Sequence, residues 1–244
     1  MDVPPDLELQ VAVAKVRKYA VSESGDSVEL IERPQGGLSL VMVDGQRSGK
    51  SAKAISNIVA RKAISLLADG VRDGAAARAA HDYLRTMRGG QVSATLNIVS
   101  VDLVTRTLVI SRNSHCPVIV GAGRGNEVQV LDGPSQAIGV HSRTRPVITE
   151  LPLKPDLHVV VFTDGLLAAG QRQGQALDVP LFVRQQLAAY PTNNCARSVA
   201  DALLNRAVEL DQGRPSDDIS VLVVSIVPRQ QPDGTRRLSV RFPI

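Results

Sequence analysis

Two aspartates stand at the ends of apolar stretches that have the length of β-strands. Asp44 follows the apolar run 38–43, and Asp164 follows the run Leu157–Phe162 after a single threonine. In both cases a glycine comes next. A carboxylate at the end of a buried strand is energetically costly unless it is paired, hydrogen-bonded or bound to a metal ion. The two aspartates are therefore the first candidates for chemistry in this chain.

A third acidic site, Asp217 with Asp218, directly precedes the apolar stretch 219–227. Because the start of one antiparallel strand lies beside the end of its neighbour, we expect the three sites to meet at one sheet edge. Crowded carboxylates repel and raise each other's pKa values, and divalent cations relieve this repulsion. Oxygen ligands suit Mg²⁺ or Mn²⁺ rather than zinc, and the sequence has no histidine and cysteine cluster with metal-ligand spacing. A glycine after the aspartate also leaves room for a backbone carbonyl to reach an ion.

The loop after Asp44 permits a different interpretation. Residues 45–51 (Gly-Gln-Arg-Ser-Gly-Lys-Ser) lie between a predicted strand and a predicted helix, as a phosphate-binding P-loop does. A P-loop has four residues between its glycines, whereas this loop has three, so the required first glycine falls on Asp44. The charge of Asp44 would repel the phosphates. A P-loop-like nucleotide binder is therefore kept only as the last alternative.

The composition narrows the classes of protein to which the chain can belong. It has 244 residues with 43% hydrophobic and 21% charged residues and a net charge of +4, which is typical of a globular protein. Only 2% of the residues are aromatic, which disfavours nucleic-acid binding by base stacking. No apolar run reaches the roughly 18 residues of a membrane helix, and the N-terminus lacks the features of a signal peptide. We expect a cytoplasmic protein without nucleic-acid or membrane partners.

Strands and helices are predicted in blocks rather than in strict alternation. Alternating or continuous apolar residues indicate strands at 7–16, 27–31, 38–43, 93–102, 107–112, 117–120, 127–131, 146–151, 157–162 and 219–227. Apolar residues spaced by three and four indicate helices over about 48–69, 73–87 with Asp73 as N-cap, 179–189 and 196–210. This order predicts an α+β protein with antiparallel sheets whose faces are covered by helices. We predict one domain over residues 1–244, with a core of about 8–227 and a basic tail, 228–244, that could add an edge strand.

Seven short motifs follow one another in an order typical of a single enzyme family. Three carry the acidic sites: Val43-Asp44-Gly45, Phe162-Thr163-Asp164-Gly165 and Asp217-Asp218-Ile219-Ser220. Four others accompany them: Ser24-Gly25-Asp26, Ser93-Ala94-Thr95, Asn113-Ser114-His115-Cys116-Pro117 and Ala137-Ile138-Gly139. Together they span about residues 22–227. In order and spacing the chain resembles the metal-dependent PPM (type 2C) protein serine/threonine phosphatases, and most closely their bacterial SpoIIE-like branch.

The resemblance implies a four-layer αββα sandwich with two Mn²⁺ or Mg²⁺ ions at one edge. Asp44 would bridge both ions. The other implied metal residues are Gly45 through its carbonyl, Asp164 and Asp217, with Asp26 and Asp218 in the second layer of contacts. The implied reaction is hydrolysis of phosphoserine or phosphothreonine by a metal-activated water, without a protein nucleophile. In this branch the implied substrate is often a phosphorylated anti-anti-sigma (STAS) protein.

Several residues leave alternatives open. Arg47 and Lys50 could contact the substrate phosphate or be solvated surface charges, and His115 could donate a proton to the leaving group or be a hydrogen-bonded structural histidine. Gln46 occupies the position where the wider family has histidine, and no arginine near Asp26 matches the family's phosphate-binding arginine. The runner-up hypothesis is therefore a pseudophosphatase that binds a phosphoprotein or a regulator. A homodimer is also left open.

Overall fold

The computed structural model describes residues 6–123, 127–189, 194–229 and 234–241, and these residues form ten strands and five α-helices, with two short 3-10 turns. One sheet contains β1 (Leu7–Val16), β6 (Val118–Ala122), β7 (Glu127–Leu131), β9 (Leu157–Phe162) and β10 (Ile219–Pro228), in the spatial order β1-β10-β9-β6-β7. The other contains β2 (Ser27–Glu32), β3 (Leu38–Gly45), β4 (Ala94–Asp102), β5 (Thr107–Asn113) and β8 (Val147–Pro152), in the order β2-β3-β4-β5-β8. Neighbouring strands are antiparallel in both sheets.

The two sheets stack face to face between two layers of helices. The helices are α1 (Gly49–Ala68), α2 (Asp73–Met87), α3 (Asp164–Ala168), α4 (Val179–Ala189) and α5 (Cys195–Leu210). Helices α1 and α2 pack on the sheet that contains β3, and α3, α4 and α5 pack on the sheet that contains β9. The predicted αββα sandwich is therefore confirmed. The short helix α3 is a feature that the sequence pattern did not indicate.

Strand periodicity explains why the central strands read as unbroken apolar runs. Successive side chains of a strand point to opposite faces of the sheet. In β9, Val159 and Val161 pack between the sheets, whereas Val160 and Phe162 pack under the helices. A strand that is covered on both faces needs apolar residues at every position, because each buried CH₂ group contributes about 0.8 kcal/mol. The same burial on both faces accounts for the apolar run of β10.

Helix α1 presents the apolar stripe that its spacing predicts. Ala52, Ile55, Val59 and Ala63 are buried against β3 and its neighbours. The predicted N-cap of α2 is wrong, however, because Arg72 occupies the N-cap position and Asp73 is the first helical residue. The Asp73 carboxylate instead accepts hydrogen bonds from Ser100 Oγ at 2.5 Å and Arg33 Nη1 at 3.1 Å. These tertiary partners, which are distant in sequence, compete successfully with local capping.

The described part of the tail, residues 234–241, forms no strand, so the predicted edge strand is not seen there, and Phe242 lies outside the described residues. Arg236 Nη1 lies 3.2 Å from Glu32 Oε2, which places this segment near the end of β2. Across the described ranges, no helix combines the length and apolarity that crossing a membrane requires.

Candidate metal centre

The antiparallel register brings the acidic residues to one edge of the sandwich. Ser27 at the start of β2 pairs with Val43 near the end of β3, so Asp26 lies beside Asp44. In the other sheet, Val221 near the start of β10 pairs with Phe162 at the end of β9. Asp164 and the Asp217–Asp218 pair flank these two strand ends. This is the arrangement expected when strand starts and strand ends alternate along a sheet edge.

Asp44 lies at the electrostatic centre of this edge. Its carboxyl is largely withdrawn from solvent, and this burial is the main reason that its pKa rises to about 8. The negative charges of the other four aspartates add to the rise, in the order Asp26, Asp164, Asp217 and Asp218. The Asp44 carboxyl is therefore largely protonated at neutral pH when no cation is near it. A group of carboxylates that cannot all ionise together is a strong attractant for divalent cations.

Asp26 is held by two hydroxyl groups that the sequence analysis did not single out. Its side chain is 1% exposed, and Oδ2 accepts hydrogen bonds from Ser220 Oγ at 2.6 Å and Thr163 Oγ1 at 3.1 Å. Thr163 Oγ1 also accepts the Ser220 amide at 2.9 Å, so this network joins the two sheets. Burial raises the pKa of Asp26 to about 6, while the Ser220 bond and the Lys15 cation lower it. The other oxygen, Oδ1, is buried and has no hydrogen-bond partner among the described residues.

Asp218 differs from the adjacent Asp217 in its contacts. Its carboxylate is buried and accepts two backbone amides of the β1–β2 loop, from Lys18 at 2.9 Å and from Gly25 at 2.8 Å. Both of its oxygens are therefore already bonded to the loop that leads into Asp26. We infer that Asp218 positions Asp26. The sequence offered no signal for this role, because Lys18 is 200 residues away from Asp218 in the chain.

We expect Asp218→Ala to lower the free energy of unfolding by about 2–4 kcal/mol, because two buried amides lose their acceptor. Thermal or urea denaturation measures this loss, and hydrogen exchange at the Gly25 amide should accelerate. Asp102→Ala is a matched control, since Asp102 also accepts two backbone amides, at 2.8 and 3.0 Å, but in an exposed turn. Equal losses for the two variants would contradict the role given to Asp218.

Asp164 and Asp217 are more open to solvent than the other members of the group. Burial and the charge of Asp217 raise the pKa of Asp164, and His115 lowers it. His115 Nε2 lies 3.6 Å from Asp164 Oδ2, and the His115 side chain is 59% exposed. Asp217 Oδ1 accepts the Asp218 amide at 2.9 Å and lies 3.8 Å from Lys18 Nζ. His115 is therefore an exposed residue at the rim of the acidic group rather than a buried structural histidine.

The glycines after Asp44 and Asp164 are required by close packing of the backbone. A Cβ atom on Gly45 would approach the carbonyl oxygen of Ala52, in the first turn of α1, to 2.2 Å. A Cβ atom on Gly165 would approach the carbonyl oxygen of Asp218 to 2.1 Å. Real Cβ atoms do not come so close to backbone atoms. Each Asp-Gly pair thus marks a place where a second element is packed directly onto a strand end.

Gly45→Ala is expected to destabilise the fold by more than about 2 kcal/mol, because α1 must move away from β3. The displacement should also disturb the Asp44 carboxyl and weaken Mn²⁺ binding. Differential scanning calorimetry with and without Mn²⁺ measures both effects. Gly133→Ala is the control, since a Cβ there meets only Arg112 Nη2 at 3.9 Å, an ordinary contact. A Gly45→Ala variant as stable as this control would refute the close-packing argument.

The loop between β3 and α1 contains the remaining residues that the sequence analysis proposed. Gln46 is held by two hydrogen bonds to Ser93. The backbone amide of Gln46 donates to the Ser93 carbonyl, and the side-chain Oε1 of Gln46 accepts the backbone amide of Ser93, both at 3.1 Å. Arg47 and Lys50 are exposed, and their side chains form no ion pair within the described part of the chain. The loop follows a strand of an antiparallel sheet, which disagrees with a P-loop.

The residues at this edge fit a divalent cation in part. The high pKa of Asp44, the unpartnered Oδ1 of Asp26 and the all-oxygen donor set favour a hard cation. Within the described ranges, however, no three Asp, Glu, His or Cys side chains converge closely enough to hold an ion on their own. Any coordination must therefore be completed by water and backbone carbonyl ligands, or by rotation of the half-exposed side chains of Asp164 and Asp217.

Comparison with known proteins identifies the family of this chain. A profile of stage II sporulation protein E (SpoIIE) matches residues 34–227, which is most of the chain, while no individual curated protein matches it. The PP2C phosphatase domain of SpoIIE from Bacillus subtilis, solved with a fragment of its regulatory domain, has a TM-score of 0.77 and 20% identity over 92% of this chain and 65% of that chain. The RsbU and RsbW domains of Rv1364c from Mycobacterium tuberculosis have a TM-score of 0.74 and 17% identity over 93% of this chain and 62% of that chain.

This chain thus spans slightly less than two thirds of both of those structures. The catalytic domain of the serine/threonine protein phosphatase PstP, in complex with two manganese ions, has a TM-score of 0.66 and 17% identity over 91% of this chain and all of that chain. The fold of these structures is the αββα sandwich described above. The chain belongs to the stage II sporulation protein E (SpoIIE) family, and its fold is that of the solved PP2C phosphatase domain of SpoIIE.

Proposed function

We propose that this chain hydrolyses phosphoserine or phosphothreonine in a protein substrate, with two Mn²⁺ or Mg²⁺ ions and an activated water. The observation that carries the proposal is the Asp44 carboxyl, which is withdrawn from solvent and subject to the charges of four other aspartates at one edge of the sandwich. The two manganese ions of the PstP structure support the proposed metal and its number. Family membership supports the reaction class.

The roles of the residues follow from their positions. Asp44, the Gly45 carbonyl, Asp164 and Asp217 would hold the ions, and Asp26 would orient a water ligand through its unpartnered Oδ1. Bound divalent ions lower the pKa of a coordinated water and neutralise phosphoryl oxygens. The ions would supply an activated water that forms a new P–O bond in line with the serine or threonine oxygen and releases a proton, while the bond from phosphorus to that oxygen breaks. His115, exposed beside Asp164, would return a proton to this oxygen.

The chain offers no cysteine that could replace the water as nucleophile. Cys116 and Cys195 are both buried, and burial raises the pKa of the Cys116 thiol to about 12. Burial also raises the pKa of Cys195. Only the thiolate is a competent nucleophile, so neither side chain is reactive at neutral pH. This chemistry favours a direct attack by water.

The substrate that we propose is a phosphorylated anti-anti-sigma (STAS) protein in the cytoplasm. It is supported by the similarity to a protein in which an RsbU domain is solved together with an RsbW domain. The exposed Arg47 and Lys50 flank the acidic edge and would face the substrate protein.

A second candidate function is a pseudophosphatase that binds a phosphoprotein without hydrolysing it. Two observations favour it. Gln46, in the position of the wider family's histidine, is fixed by Ser93 and cannot act as an acid. The acidic side chains also do not converge on a single ion position within the described residues. Against it, the aspartates that a metal centre needs are all present at one edge.

Phosphate release from a phosphoserine peptide and from p-nitrophenyl phosphate distinguishes the two functions. We expect turnover that requires Mn²⁺ or Mg²⁺ and stops when a chelator is added. The pseudophosphatase would be favoured by tight Mn²⁺ binding without turnover. The substrates tested for turnover are the peptide, p-nitrophenyl phosphate and a phosphorylated STAS protein. Turnover that persists in chelator would overturn both.

A further inference from the structure

Two lysines converge on a single backbone oxygen beside the acidic edge. Lys15 Nζ, from β1, donates to the carbonyl oxygen of Asp26 at 2.8 Å. Lys53 Nζ, from the first turns of α1, donates to the same oxygen at 2.7 Å and to Ser27 Oγ at 3.0 Å. The two ammonium groups therefore cannot be farther apart than the sum of their distances to that oxygen. They approach the start of β2 from β1, which belongs to the other sheet, and from α1.

Neither ammonium group forms an ion pair within the described part of the chain, and the carboxylates of Asp26 and Asp218 act on Lys15 only from a longer distance. Ion pairs there involve other residues, and these two lysines bond only to a carbonyl and a hydroxyl oxygen. Two like charges at this spacing repel each other. An ammonium has three donors, so each lysine keeps at least one donor for another acceptor. The pair is thus a concentrated positive charge with unused hydrogen-bonding capacity.

The location connects this pair to the proposed reaction. Asp26 lies beside Asp44 in the pairing of β2 with β3, and the lysine pair binds the backbone carbonyl of that same Asp26. No arginine near Asp26 in the sequence matches the phosphate-binding arginine that the family resemblance leads us to expect. Two ammonium groups supply the charge and donors that a phosphate dianion needs, although without the bidentate geometry of arginine.

We propose that Lys15 and Lys53 form a phosphate-binding pair that holds the non-reacting oxygens of the substrate phosphoryl group and of the inorganic phosphate product. This inference rests on the proposed function for its role in hydrolysis, but binding of phosphate can be measured without turnover. The competing explanation is that the lysines only fasten the start of β2 to β1 and α1. In that case their removal would affect stability but not phosphate.

The test uses the full chain with saturating Mn²⁺ and the variants Lys15→Gln, Lys53→Gln and the double variant. We expect the dissociation constant for inorganic phosphate, measured by calorimetry, to rise at least about tenfold in the double variant, because charge-assisted bonds are lost. The KM for a phosphoserine peptide should rise with it, and the affinity for Mn²⁺ should stay within about twofold of the wild-type value. Lys154→Gln, at an exposed position between β8 and β9, controls for net charge.

The outcomes separate this inference from the proposed function. Weaker phosphate binding in the lysine variants supports the pair even if the wild-type chain hydrolyses no phosphopeptide. Normal hydrolysis with unchanged phosphate affinity in the double variant overturns the pair and leaves the proposed function intact. Failure of the wild-type chain to bind phosphate at millimolar concentration also overturns the pair. If the double variant does not fold, the single variants are compared with Lys53→Arg instead. Lys53→Arg keeps the positive charge and should therefore retain phosphate binding.

Discussion

Asp44→Asn should abolish metal-dependent hydrolysis and at the same time stabilise the metal-free protein. Without a cation, the Asp44 carboxyl is withdrawn from solvent among four like charges, which is why its pKa rises to about 8. A neutral amide of the same shape removes the cost of ionising that group. We expect a gain of about 1 kcal/mol or more at pH 8, equivalent to a rise in Tm of about 2–4 °C. Activity should fall by about three orders of magnitude or more, since the central metal ligand is lost.

Mn²⁺ should reverse the order of stability. A ligand that binds only the folded state raises its stability by mass action, so Mn²⁺ should raise the Tm of the wild-type protein. It should raise the Tm of Asp44→Asn by much less. Asp201→Asn, at a half-exposed position of α5, is the matched control and should behave like the wild type in every measurement. A metal-free Asp44→Asn variant that is less stable than the wild type would show that the carboxylate makes a favourable contact in the absence of metal.

The stability of the metal-free protein should decrease as the pH rises from about 6.5 to 8. The pKa of Asp44 rises to about 8 in the folded state from a usual value of 3.8, so the folded state binds more protons than the unfolded state in this interval. Under these conditions the free energy of unfolding falls with increasing pH. One such group lowers it by about 1–2 kcal/mol over the interval, measurable as a decrease in Tm of a few degrees.

The choice of pH window follows from the other titrating groups. Asp26, whose pKa is raised to about 6, acts in the same direction but mainly below pH 6.5. The pKa values of the buried His81 and His158 are lowered, so these residues act in the opposite direction, and their effect fades above pH 6.5 as the unfolded histidines lose their protons. Cys116 acts only above about pH 8, since its pKa rises from 9.0 to about 12. Asp44 therefore dominates between pH 6.5 and 8, and Asp44→Asn should flatten the slope.

Differential scanning calorimetry in a chelating buffer at pH 6.5, 7.2 and 8.0 provides this test. With saturating Mn²⁺ the slope should change sign, because metal binding displaces the Asp44 proton and strengthens as the pH rises. A slope that is the same in Asp44→Asn and wild type would assign the titration to another group.

The meeting of the acidic residues at one edge of the sandwich was predictable because it depends on regular strand geometry. Asp44 and Asp164 each follow a strand that is buried on both faces, and Asp217 precedes another. The antiparallel pairing then determines where strand ends and strand starts meet. The helices of the outer layers were equally visible in the sequence, because α1 has a clear stripe at positions such as Ala52 and Val59.

The supporting contacts were not predictable because they join residues that are distant in the chain. Asp218 bonds to Lys18 and Gly25, and Asp73 bonds to Arg33 and Ser100. A local pattern assigns such aspartates to a metal site or to a helix cap, since nothing nearby reveals the real partner. The convergence of Lys15 and Lys53 on the Asp26 carbonyl likewise exists only after β1, β2 and α1 have assembled.

A calorimetric titration with Mn²⁺ at pH 8 tests the central claim most directly. The claim is that the acidic edge around Asp44 is a two-metal centre. It predicts that the wild-type chain binds two Mn²⁺ ions, that binding releases about one proton or less at this pH, and that Asp44→Asn loses both ions or retains one weakly. Binding of no ion, or an unchanged stoichiometry in Asp44→Asn, would contradict it.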